Sequence, residues 1–547
     1  MSASTRERPV RRQPLADVPA VPDLVTTYCT DYDAVAKYYA GNPFAAADRA
    51  AAAERAAAHP RDREQLVEVL HDQNEQWGAS DAAQAQIETL RDPDAVAVVT
   101  GQQVGLLTGP LYTIYKTITT LQLADRLAEE TGRPVVPVFW VEGEDHDFDE
   151  VACTHLFEQN RVVDVCYEAP SVNGNPGAVG RIALGEAIHP VLERLDDALP
   201  PSDFKAEVMA RVQAAYRPEA TLEDAFARLM RALFPDSGLV FINPDDERLK
   251  AMTRSLFARE LADYEAPYAH IEAASEELQR DFHAQVHAQP TNLFWLDEGG
   301  RFPIDARNGT FTLRHDGRTF DRDALQAQLE ARPEQFSPNV VLRPLMQDYL
   351  LPTAAYVGGP SEVSYFAQYK GIYEWAGLPM PLIYPRASVS LVESKVEKVL
   401  DRYDLTVADF AGDLDRLFQQ VVIDTMEVDV EGLFDDAMRH VHKCINTVKP
   451  EVKTVDRTLG PSVEATRTAL IQEMEELKQR VVRAEKRNKD EIRAQLDKAH
   501  VNLFPNGKAQ ERSISVLYFL NKYSLDFPAQ LQQSLSLDTR EHQVVSI

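Results

Sequence analysis

The sequence predicts an α/β protein: a core built on a parallel sheet and carrying insertions, followed by an α-helical coiled-coil module. Three observations predict it. Residues 96–151 read as strand, polar loop, amphipathic helix and second strand. Short apolar runs ending in polar tips recur at 238–243 and 381–384. Beyond Leu391 the pattern is almost purely helical. At 547 residues the chain exceeds one ordinary domain. The expected division is a core over 1–390 with insertions at about 154–235 and 289–335, then a helical module over 391–547.

Taken in order, residues 1–25 are rich in Pro and Arg and form an extended lead-in, and the Ala-rich stretches 45–59 and 63–77 are helical. The run Val96 to Val99 is a strand entering the loop Thr100-Gly101-Gln102-Gln103-Val104-Gly105 and Thr108-Gly109-Pro110-Leu111-Tyr112. A helix over about 113–130 turns at Gly132 into the strand 134–141. The acidic run from Glu142 to Glu150 follows, at the carboxyl end of a strand, where open α/β sheets bind ligands. Residues 154–200 read as an insertion with short strands and a turn cluster at 171–177. Helices over 204–233, a strand at 238–243 and a long helix over 247–288 come next, then β structure at 292–296 and 301–313 around Gly299-Gly300 and Asn308-Gly309. Residues 337–393 combine a helix near 363–376 with the strand 381–384. Val463, Leu470, Leu477 and Ala484 recur at seven-residue spacing with Met474, Val481 and Asn488 on the second seam, which reads as a coiled coil over about 455–500 or as an antiparallel hairpin packed on itself. A last helix over 514–523 packs back.

Composition narrows the function. A formal charge of -29 argues against a nucleic-acid or anionic-membrane surface. No segment approaches the roughly 20 apolar residues of a membrane span, and the Arg-rich N-terminus lacks the apolar region of a secretory signal. Cys29, Cys153, Cys166 and Cys444 form no CxxC pair, so neither a disulfide framework nor a structural zinc site is expected, and a cytoplasmic location fits.

A Gly-rich turn between strand and helix presents N–H groups to phosphate or carboxylate. Gly109-Pro110-Leu111-Tyr112-Thr113-Ile114-Tyr115 resembles the signature that opens the first helix of class I aminoacyl-tRNA synthetases, with Tyr112 and Tyr115 in place of its two histidines and no K-M-S-K-S motif elsewhere. A resemblance spanning nearly the whole chain is more specific. The phrases at 100–116, 143–150, 342–348, 352–360, 510–512 and 517–522 resemble the bacillithiol-biosynthesis cysteine-adding enzymes, the BshC cysteine ligase family. That resemblance implies addition of cysteine to the amine of glucosaminyl-malate. It also implies a synthetase-like Rossmann core with connecting-peptide insertions and a coiled-coil module used in dimerisation.

Joining a carboxylate to an amine requires an activated carbonyl, supplied either by ATP with Mg²⁺ or by a donor that arrives activated; the residues leave both open. With ATP, Gly101, Gln102, Gln103 and Gly109 surround phosphates and Lys116 adds positive charge, though Lys116 is equally readable as a surface lysine. Tyr112 and Tyr115 are base-stacking or core aromatics. His146, flanked by Asp145 and Asp147, is the candidate for proton transfer; the plainer reading has it hydrogen-bonding a strand end, with the carboxylates solvated or holding Mg²⁺. Arg343 and Arg386 suit malate carboxylates, Gly358 and Gly359 a close ligand approach or, more plainly, a loop hinge, and Asp348 and Glu362 an ammonium or sugar hydroxyls, with surface or capping duty as the plainer reading of the two carboxylates. No metal is expected, because nothing in the spacing joins His146, Asp147, Cys153 and His155 into a zinc site. The competing class is a nucleotide-binding regulatory or scaffold protein with a degenerate synthetase core.

Overall fold

The computed structural model describes residues 9–169, 177–297, 300–425 and 429–547. Its contacts form two compact units, one running to Val392 and resumed at Pro505–Ile547, the other Glu393–Phe504.

The first unit is organised by a five-stranded sheet of β1 (Val96–Gln103), β2 (Val135–Glu142), β3 (Val240–Ile242), β4 (Thr353–Gly358) and β5 (Leu382–Pro385). All pairings are parallel and the order is β3-β2-β1-β4-β5. Side chains alternate across it with period two. Ala97, Val99, Val138, Trp140 and Ile242 enter the apolar layer on one face, while Val96, Val98, Val357 and Tyr384 enter the layer on the other with Leu123, Ala124 and Leu127 of α1 (Leu111–Thr131). Both faces are covered, which is why the strands read as continuous apolar runs. The helix α1 stops at Gly132, whose φ of 67° is the left-handed geometry a helix end adopts most cheaply with glycine.

Several elements differ from expectation. β1 continues through Gln103 instead of ending at Val99, and Gly101 lies inside the ladder opposite Trp140. A side chain there would come within 3.1 Å of the Trp140 Cβ and carbonyl oxygen, so glycine lets β1 and β2 close. The long helix expected over 247–288 is three helices, Glu247–Met252, Arg254–Ala262 and Glu265–Leu278. At the first break the Thr253 hydroxyl bonds back to the Leu249 and Lys250 carbonyls. The lead-in supplies the strand Val10–Pro14, antiparallel to Glu541–Ser546, which also pairs with Val389–Val392. Residues 505–547, grouped by sequence with the helical module, belong by contact to the first unit. The first insertion holds a hairpin, Cys153–Glu158 with Arg161–Cys166, and three helices; the second is an antiparallel sheet with the helix Arg322–Ala331. Residues 171–176 and Gly299, from the two turn clusters, lie outside the described residues.

The absence of a disulfide is corrected: Cys153 and Cys166 are bonded, 13 residues apart in sequence. They face each other across the hairpin, a pairing that only strand register reveals.

In the second unit, two helices, Val430–Val455 and Gly460–Leu503, form an antiparallel hairpin. Lys449 with Glu464, Arg467 with Asn446, and Lys478 with Asp435 at 3.5 Å set its register. The seam follows the face of Arg467, Ile471, Met474, Lys478 and Val481, whereas Leu470 and Leu477 of the expected seam are exposed. No helix among the described residues is long and apolar enough to cross a membrane.

Candidate active site

Strand order reverses between β1 and β4, and their carboxyl ends diverge into the crevice where such sheets hold ligands. Lys116 reaches it from the second turn of α1 and is almost wholly buried. Its ammonium donates to the Gly101 carbonyl at 2.8 Å and Gln102 Oε1 at 2.9 Å, and pairs with Glu362 Oε2 at 2.5 Å. Burial lowers the Lys116 pKa, with Glu362 opposing. Burial would raise Glu362, but Lys116 holds it below the usual range. The Tyr356 hydroxyl of β4 and the Gly359 N–H also donate to Glu362, at 2.5 and 2.7 Å.

A second carboxylate, Glu142, ends β2 and stands opposite Gln103 in the ladder. Trp140 Nε1 donates to its Oε2 at 3.1 Å, and Arg343 Nε, from the helix α2 (Leu342–Leu350), lies 3.9 Å from the same oxygen. The Arg343 guanidinium also sits over the Tyr356 ring, 5.6 Å from its centroid. A chain of alternating charge, Glu142, Arg343, Glu362 and Lys116, therefore spans the ends of β2, β1 and β4. Burial raises Glu142 to about 7, Arg343 pulling it down and Glu144 pushing it up.

Past Glu142 the acidic run divides into separate jobs. Glu144 is buried against Lys250 at 2.7 Å, which also pairs with Asp245 at 2.6 Å and so ties the end of β2 to that of β3. Asp145 accepts from Gln103 Nε2 at 2.7 Å and from the His146 backbone N–H at 2.7 Å. Burial opposes its ionisation, yet its bonds to His146 and Gln103 and the nearby Arg301 hold it well below the usual range. Asp147 caps the helix Phe148–Val151. His146 stands at the rim with its side chain 43% exposed, its Nδ1 3.3 Å from both Asp145 and Arg301.

Two family models of bacillithiol biosynthesis BshC match the chain: the N-terminal Rossmann-like domain over residues 14–387 and the C-terminal coiled-coil domain over 389–547. The chain belongs to the BshC family. Relatives carrying the name "Putative cysteine ligase BshC" include one from Salinibacter ruber, 62% identical with all of both chains covered, and one from Chlorobaculum tepidum, 36% identical with 89% of each covered. A solved structure named "putative arginyl t-RNA synthetase" from Campylobacter jejuni aligns at 11% identity, covering 84% of this chain and 97% of that one, with a TM-score of 0.22, too low to argue from.

Within this BshC-family fold the sequence-selected residues separate into groups. Gln102, Gln103, Lys116, Arg343 and Glu362 meet around the crevice, with Tyr112, whose hydroxyl accepts from Gln102 at 3.3 Å. Tyr115 is a core aromatic. Asp348 is buried, with bonds from Tyr373 at 2.5 Å and Gln347 at 2.9 Å, and burial lifts it to about 6. Arg386 stacks near Tyr112 but spends its fork on Glu511, at 3.0 and 2.7 Å, joining β5 to the returning C-terminal segment. Gly101 and Gly358 are strand residues, and the Gly359 N–H is taken by Glu362.

The expected phosphate seat is also occupied by the chain itself. At the amino end of α1 the Leu111 N–H donates to the Ile514 carbonyl at 2.9 Å. Leu107, Thr108 and Gly109 before it all have positive φ, and the Leu107 N–H donates to Tyr216 Oη of the first insertion at 2.6 Å. With Lys116 also engaged, the residues selected for phosphate do not fit ATP at that seat. Cys153, bonded to Cys166, is removed from the zinc alternative. Arg301 was missed by sequence: it bonds Ser337 at 3.0 Å and the Pro338 carbonyl at 2.7 Å while facing Asp145. Its only signal was a turn preceding it. Glu142, Lys250 and Glu511 were likewise visible as charges but not as partners.

Proposed function

We propose that the protein is a cysteine ligase acting in bacillithiol biosynthesis, forming an amide between the cysteine carboxyl group and the amine of glucosaminyl-malate in the crevice between β1 and β4. The carrying observation is the chain Glu142, Arg343, Glu362 and Lys116 at the strand ends, with Lys116 buried and the other three partly buried. Concentrating ionisable groups in a low-dielectric crevice is costly and is the mark of a site that handles charge. Arg343, whose contact with Glu142 is 3.9 Å long whereas Arg386 is bonded through both arms of its fork to Glu511, is the guanidinium proposed to meet the acceptor's carboxylates.

ATP with Mg²⁺, held elsewhere than at the amino end of α1, is the proposed source of activation, and no step is derived through it. The test is incubation of the pure chain with cysteine, glucosaminyl-malate and Mg²⁺, with and without ATP, followed by mass spectrometry. Amide product with AMP indicates adenylation, and product with ADP indicates an acyl phosphate. Product without ATP removes the nucleotide, and no product in either arm refutes the ligase reading in favour of the regulatory one.

The protein is proposed to act in the cytoplasm and as a homodimer. Leu470 and Leu477, exposed at 43% and 48% one heptad apart, give a second copy an apolar row to cover.

A further inference from the structure

We propose that Glu142, in place of His146, is the general base that takes the proton from the attacking amine; the assignment rests on the ligase reading above. Its side chain ends β2 inside the crevice, 18% exposed, with Trp140 and Arg343 both at Oε2. Among the described residues no hydrogen bond reaches its Oε1. Every neighbouring acid is committed. Glu362 is filled by Lys116, Tyr356 and the Gly359 N–H, Asp145 by Gln103 and the His146 N–H, Glu144 by Lys250, and Asp147 by its helix. His146 lies on the solvent rim beside a guanidinium. The charged groups acting on Glu142 are Arg343 from α2, Arg301 from the insertion sheet, and Glu144 and Asp145 from its own segment. With burial they poise it near 7, where about half of the population is deprotonated in neutral solution and the carboxylate is basic enough to accept a proton.

In the step, the acceptor's ammonium gives one proton to Oε1. The freed lone pair forms the C–N bond to the activated acyl carbon of cysteine. The bond from that carbon to its oxygen leaving group breaks, the electron pair leaves with the oxygen, and the second amine proton goes to that oxygen.

The experiment uses the full chain with cysteine, ATP and Mg²⁺, offering the amino-sugar acceptor in one arm and hydroxylamine in the other. Hydroxylamine is already neutral near pH 7 and needs no base. Glu142→Gln should lose amide formation by about 10²- to 10⁴-fold while retaining hydroxamate formation, which also shows that the variant folds. Glu142→Asp should recover part of the loss. Wild-type kcat/KM for the acceptor should fall below about pH 7, and His146→Ala should keep that acid limb while Glu142→Gln loses it. Wild-type amide formation by Glu142→Gln, equal loss of both products, or disappearance of the acid limb in His146→Ala instead would overturn the assignment. A wild-type chain that makes neither product would overturn the ligase reading and this assignment with it.

Discussion

Arg386 lies close to the crevice, yet its geometry makes it a brace, and Arg386→Met measures the difference. The Arg386 and Glu511 side chains are 3% and 6% exposed and meet through two hydrogen bonds of 2.7 and 3.0 Å. Glu511 additionally accepts the Val389 N–H at 2.8 Å, and Arg386 donates to the Ala387 carbonyl at 2.7 Å. Methionine removes the only cation bonded to Glu511 among the described residues. A buried pair broken on one side costs about 3–5 kcal/mol, because the remaining charge is left uncompensated. At about 1.4 kcal/mol per tenfold, the unfolding equilibrium shifts by roughly 10²- to 10⁴-fold. Burial would raise Glu511, but Arg386 holds it below the usual glutamate range, so the pair's contribution is present above the unfolded pKa and is lost as pH falls through the folded one. The double variant Arg386→Met/Glu511→Gln removes both charges, retains an acceptor for Val389 and should recover much of the loss. Urea unfolding followed by tryptophan emission suits the question, since Trp77, Trp140, Trp295 and Trp375 all lie in the first unit. An unmoved midpoint with a raised KM for the acceptor would refute the brace and return Arg386 to substrate binding.

The raised Glu142 pKa has the opposite pH signature. A carboxyl held at about 7 instead of 4.5 binds its proton more tightly in the folded chain, so folding grows less favourable as pH rises between those values. Glu142→Gln should therefore raise the melting temperature at pH 8 and leave it near wild type at pH 4.5; equal effects at both would show that folding does not raise the Glu142 pKa. Thiol titration without reductant should find Cys444 reacting in the native protein, Cys29 only after denaturation, and neither Cys153 nor Cys166 in either state; four reactive thiols in urea would contradict the hairpin disulfide. Replacing Leu470 and Leu477 with Asp should convert a dimer to monomers by light scattering without unfolding the hairpin, since neither side chain is buried in it; an unchanged mass would remove that face from the interface.

The fold was readable where one period dominates. Val96 to Val99 and the run to Val141 are apolar because both sheet faces are covered, and Gly132 ends α1 where its pattern stops. The family was readable from whole phrases. What sequence could not supply is partnership across long separations. Arg386 looked like a ligand for carboxylates because its own carboxylate lies 125 residues away, and Asp348 looked available because Tyr373 is invisible until the helices pack. Gly101 suggested a phosphate loop when the bulk opposite it, Trp140, required glycine. Leu470 and Leu477 share heptad spacing with residues of the hairpin seam, and periodicity alone does not say which of two faces turns inward.

The claim that the β1–β4 crevice performs ligation is tested most directly by comparing the wild type with Lys116→Met/Glu362→Gln, which removes both charges of the central pair together and leaves the crevice's net charge unchanged. With cysteine, glucosaminyl-malate, ATP and Mg²⁺, the wild type should form the amide and the folded double variant should not. Equal product from both, or none from the wild type, would contradict the account.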